Sequence, residues 1–119
     1  MLNDAVGFSE IYIVCGRTDL RYGIDSLAGV LRSLVIENPA TAGTLYLFCG
    51  RRSDRIKGLV WEGDGFLLLY KKLVNGSFQW PRNASEVKSL TPKQFRWLME
   101  VLTIEPRKAV KEVYFEYMS

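Results

Sequence analysis

Residues 11–17 read Ile11-Tyr12-Ile13-Val14-Cys15-Gly16-Arg17, and residues 45–51 read Leu45-Tyr46-Leu47-Phe48-Cys49-Gly50-Arg51. Each is a short apolar, β-favouring run that stops at a glycine, as a buried strand does. Between them, Ile24, Leu27, Ala28, Leu31, Leu34 and Val35 recur at helical spacing until Asn38 and Pro39 end the pattern. Strand, helix, strand is the order of a crossover unit. If the two strands are parallel neighbours joined by a right-handed connection, both Cys-Gly-Arg ends lie at one edge of the sheet, where open sheets tend to bind ligands. Arg17, Arg21, Arg51, Arg52 and Arg55 would then converge.

Downstream the pattern becomes a meander. Arg55–Trp61 and Phe66–Val74 flank the turn Gly63-Asp64-Gly65, and Asn75-Gly76 separates the second run from Ser77–Trp80. Asn-Gly tolerates positive φ at both central positions of a two-residue turn, so the sequence predicts a hairpin pairing Ser77–Trp80 with the strand before it. Leu90-Thr91-Pro92-Lys93-Gln94-Phe95 announces a helix: Thr91 as N-cap, Pro92 at the first turn, Gln94 closing a capping box, Leu90 packed on Phe95. Phe95, Leu98, Met99 and Leu102 form its apolar stripe. Val110–Tyr117 fits a strand or a further helical turn. The expected fold is α+β: one domain over residues 1–119, with a mixed, mostly antiparallel sheet, including the Asn-Gly hairpin, packed with two principal helices.

Composition narrows the function. The chain has 119 residues, 48% hydrophobic and 24% charged, enough for one core. Sixteen basic against thirteen acidic side chains leave a net charge of only +3. The excess is local: residues 45–82 hold seven basic side chains and three acidic ones. Met1–Glu10 lacks the pattern of a secretory signal and no run reaches the roughly 18 apolar residues of a membrane span, so a soluble, cytoplasmic protein without membrane partners is expected. Two cysteines and no histidine offer neither a disulfide framework nor a four-ligand zinc site. No cofactor is expected.

A further set of residues carries a resemblance: Thr18-Asp19-Leu20-Arg21 with Gly23 and Asp25, Leu47 through Lys57, Gly63-Asp64-Gly65, Tyr70-Lys71-Lys72-Leu73, Phe78-Gln79-Trp80-Pro81-Arg82 and Ser89-Leu90-Thr91-Pro92. In this order and spacing they resemble the TnpB, or Orf2-like, accessory proteins of the insertion-sequence sixty-six family of bacterial mobile elements. The shared core runs from 11 to 102, leaving 103–119 as an extension. Gly58, where a bulky apolar residue is usual, and Glu62, where aspartate is usual, depart from the pattern. The resemblance implies a helper in transposition, encoded beside a separate, larger transposase, and it supplies no catalytic residue.

Arginine gives charge-assisted, often bidentate bonds to phosphate, and neutralising phosphates releases counterions. The candidate nucleic-acid-binding residues are therefore Arg17, Arg21, Arg51, Arg52, Arg55, Lys57, Lys71, Lys72 and Arg82, with Trp80 as a base-stacking aromatic at a strand end. Trp61 and Phe78 are assigned to the core. Asp19, Asp25, Asp54, Glu62 and Asp64 invite a metal-nuclease reading, but each sits where carboxylates cap helices or shape turns. The expectation is a non-enzymatic protein that binds DNA and assists the transposase; the alternative is an adaptor that binds the transposase, or another accessory protein, without touching DNA.

Overall fold

The computed structural model describes residues 8–34, 36, 38–83 and 86–100. Val35, Leu102, the segment Val110–Tyr117 and the 103–119 extension lie outside the described residues. Within them the chain forms β1 (Glu10–Val14), α1 (Ile24–Ser33), β2 (Thr44–Cys49), β3 (Arg55–Trp61), β4 (Phe66–Lys72), β5 (Val87–Leu90) and α2 (Pro92–Met99). The strands make one sheet in the order β4-β3-β2-β1-β5.

The sheet is mixed because β1 and β2, joined through α1, are parallel while every other neighbouring pair is antiparallel. Their register is that of the repeated sequence: Ile11 faces Leu45, Tyr12 faces Tyr46 and Ile13 faces Leu47. Like residues therefore stack across the pair, and the Tyr12 and Tyr46 rings lie 5.6 Å apart and nearly parallel. Central β2 is buried at all six positions, which is why its sequence is a continuous apolar run rather than an alternating one.

Alternation along the other strands sorts side chains onto two covered faces. Val14, Tyr46, Phe48 and Leu59 meet α1 through Leu27, Ala28 and Leu31. Ile11, Ile13, Leu45, Leu47 and Ile56 meet α2 through Phe95, Leu98 and Met99. On that second face Gly58 leaves room for its neighbours: a β-carbon there would sit 3.2 Å from Leu45 and 3.3 Å from Leu47. The two leucines fill the space that a larger side chain would take. Cys15 and Cys49 end the paired strands in this same cluster, and burial pushes both thiols up, leaving them in the poorly nucleophilic form.

The expected turn at residues 63–65 is present, with Gly63 at φ 99° and the Glu62 amide donating to the Gly65 carbonyl. The Asn75-Gly76 hairpin is not. Gly76 does adopt φ 83°, but Ser77–Trp80 adds no strand and β4 remains the edge of the sheet. The chain instead folds beneath the β2–β3 turn, where the Leu73 amide donates to the Asp54 carbonyl and the Phe78 amide to the Ser53 carbonyl. The reason is burial. An outer strand would leave two large aromatics at a sheet margin, whereas this path puts Phe78 and Trp80 in the core, and each aromatic removes about 150–250 Å² from water. The strand on the opposite flank is β5, paired antiparallel with β1 from Ile11 opposite Leu90 to Val14 opposite Val87.

Helix α2 begins as its sequence prescribes. Thr91 Oγ1 accepts from the Gln94 amide (3.1 Å), Gln94 Oε1 accepts from the Thr91 amide (2.9 Å), and Leu90 and Phe95 are both buried in the same cluster. Thr91→Ala should lower stability by about 1 kcal/mol, the ordinary cost of losing an N-cap. Urea denaturation checks this; an unchanged midpoint would mean that packing alone holds α2.

Candidate nucleic-acid interface

The two Cys-Gly-Arg segments leave neighbouring strand ends together. Past β1, Gly16 turns the chain at φ 84°, and the Thr18 amide donates to the Cys49 carbonyl (2.9 Å), laying residues 18–20 across the end of β2. Gly50 permits that crossing: a β-carbon on it would come within 3.0 Å of the Leu20 side chain. From the other side, Arg82 binds both ends. Its guanidinium donates to the Gly16 carbonyl (2.9 Å), the Gly50 carbonyl (2.7 Å) and Ser53 Oγ (2.9 Å).

Above this junction, on the α1 side of β3 and β4, opens a cleft of about 970 Å³. Arg17, Arg21, Arg51, Arg52, Arg55 and Lys57 line it, with Asp19 as its acidic member. Leu20, Leu68 and Tyr70 provide an apolar lining. The local charge balance far exceeds that of the whole chain, and clefts with low-dielectric walls concentrate such a field.

Two of these cations are tied to carboxylates. Arg21 donates to Asp19 through Nε and Nη2, at 3.0 and 2.8 Å, and its side-chain and backbone bonds hold the Asp19 carboxyl at about 2. Arg55 donates to both oxygens of Asp54, at 2.9 and 3.2 Å, and this pairing lowers the Asp54 carboxyl from its usual range. Lys57 Nζ donates to the Tyr22 carbonyl (2.9 Å) and lies 5.9 Å from the Tyr70 ring centroid. Arg17, Arg51 and Arg52 are exposed, and their side chains form no hydrogen bond or ion pair among the described residues.

Six of the ten residues named from sequence thus share one cleft. Lys72 pairs with Arg55 across β3 and β4 and so stands beside it. Lys71 pairs with Ile56 and projects from the other face of the sheet. Trp80 is 6% exposed, its indole N–H donating to the Val14 carbonyl (2.9 Å), and Arg82 lies beneath the cleft rather than in it. The carboxylates that invited a nuclease reading do not assemble: among the described residues no three acidic or cysteine side chains cluster closely enough to hold a metal ion. The aromatic that does reach the cleft, Tyr70, is 55% exposed. Its signal was the alternation of Phe66, Leu68 and Tyr70, which places Tyr70 on the same face as its cross-strand partner Lys57. No helix among the described residues is long and apolar enough to cross a membrane.

Comparison with known proteins follows the same outline. The family model described as IS66 Orf2-like protein matches residues 9–109. The chain is 33% identical over 90 residues to the uncharacterized protein y4hO of Sinorhizobium fredii strain NBRC 101917 / NGR234, covering 76% of this chain and 77% of that protein. It is 29% identical over 104 residues to the uncharacterized protein y4jC of the same strain, covering 86% and 88%. No solved structure matches it significantly.

Proposed function

The chain belongs to the IS66 Orf2-like family of insertion-sequence accessory proteins, and from that premise we propose that it assists transposition by holding DNA phosphates in its basic cleft, without catalysing a reaction itself. The observation that carries this reading is the convergence of Arg17, Arg51 and Arg52, whose exposed side chains make no hydrogen bond or ion pair among the described residues, with Arg21, Arg55 and Lys57 around one concavity. Guanidinium groups with no hydrogen-bond or ion-pair partner among the described residues are ready to take phosphate oxygens in pairs. The nearby carboxylates serve the cations: Asp19 binds Arg21 and Asp54 binds Arg55, so each orders a donor instead of remaining available to a metal.

The test is salt-dependent binding. If about five cations meet phosphates, log affinity for duplex DNA should fall against log salt with a slope of roughly −4 to −5. Arg51→Ala combined with Arg52→Ala should flatten the slope by about one to two units. Thermal stability should barely move, since exposed arginines contribute little to folding. An unchanged slope in the folded double variant, with weakened capture of the transposase, would replace this reading by the adaptor role.

A further inference from the structure

We infer, resting on the nucleic-acid reading above, that the cleft takes unpaired DNA, a single strand or a splayed end, with a base stacked on Tyr70 and the adjoining phosphates held by Arg17, Arg51 and Arg52. A surface that only follows a duplex needs positive charge and no apolar floor, because paired bases are already stacked on one another. This cleft has both. Leu20 and Leu68 line it beside Tyr70, and its volume of about 970 Å³ lies at the upper end of the roughly 300–1,000 Å³ of small-molecule sites. Tyr70 is a poor core residue, being more than half exposed in the edge strand β4. Lys57, held by the Tyr22 carbonyl, sets a cation over the ring, 5.9 Å from its centroid, and Arg55 stands two residues along β3 on the same face of the sheet. An aromatic platform bordered by cations is what binds single strands with little regard to sequence, each base presenting a π-face and each nucleotide a phosphate. The duplex offers the phosphate but withholds the base.

The experiment uses the full chain and three labelled probes: a twelve-nucleotide DNA strand, its blunt duplex, and an oligoribonucleotide of the same sequence, measured by fluorescence anisotropy across a salt series. The parent protein should bind the DNA strand more tightly than the blunt duplex. Tyr70→Leu should weaken strand binding roughly tenfold, and more than it weakens duplex binding, while leaving the salt slope unchanged, because no charge is lost. Tyr70→Phe, which keeps the ring, should stay within about twofold of the parent. Equal affinity for strand and blunt duplex, or an unaffected Tyr70→Leu, would overturn the inference while leaving duplex binding intact. A clear preference for the ribonucleotide would overturn the assignment to DNA. Salt-independent or undetectable binding of every probe would instead remove the nucleic-acid reading on which it rests.

Discussion

Trp80→Ala is expected to lower the free energy of unfolding by about 3–5 kcal/mol, the usual cost of truncating a large aromatic in a close-packed core. Trp80 is 6% exposed and belongs to the cluster beneath α2. It also supplies the donor to the Val14 carbonyl at the end of β1, so the variant loses a buried hydrogen bond together with its packing. Trp80→Phe separates the two: it keeps most of the apolar volume and should cost about 1–3 kcal/mol, reflecting the stranded carbonyl. Urea denaturation monitored by far-ultraviolet circular dichroism measures both. An alanine variant within 1 kcal/mol of the parent would show that Ser77–Trp80 does not lock the sheet end.

Arg82→Ala should cost about 2–4 kcal/mol, because hydrogen bonds to charged groups contribute more than neutral ones and their loss leaves half-buried acceptors unmatched. The affected carbonyls are those of Gly16 and Gly50, immediately before Arg17 and Arg51. DNA affinity should therefore fall in protein that remains folded, although Arg82 lies outside the cleft. Arg82→Lys should recover little, since one ammonium group cannot reproduce the planar fork spanning both strand ends. Full stability in the alanine variant would show that β1–β2 pairing alone aligns the two arginine-bearing ends.

Much of the local structure could be read from the chain. The repeated Ile-Tyr-Ile-Val-Cys-Gly-Arg pattern predicted adjacent parallel strands, and the observed register pairs the repeats residue against residue. Thr91, Pro92 and Gln94 specified the start of α2, and the glycines at 63 and 65 specified the β3–β4 turn, because caps and tight turns are set by groups within a few residues of one another. The arginines around the strand ends were legible for a related reason: parallel pairing of two recognisable strands carries whatever follows them to one edge.

The fate of residues 75–82 was not legible. Asn75-Gly76 is a hairpin signal by local criteria, yet the aromatic pair that follows is governed by a core assembled from β1, β2, β3 and α2. Burial against distant elements outweighed the local turn preference. The same non-local assembly separated ten basic or aromatic candidates into a cleft group around Arg17, Arg51 and Arg52, a neighbour in Lys72, the oppositely facing Lys71, and the supporting Trp80 and Arg82. It also brought Tyr70 beside Lys57. Sequence by itself determined β1 to β4, α1, the start of α2 and that cations accumulate after the strand ends, but neither the pairing of β5 nor the path of Ser77–Trp80. Tertiary structure alone decided which cations face the cleft and which bond to the backbone, because a guanidinium binds phosphate or carbonyl according to what the packed chain places within about 3 Å of it.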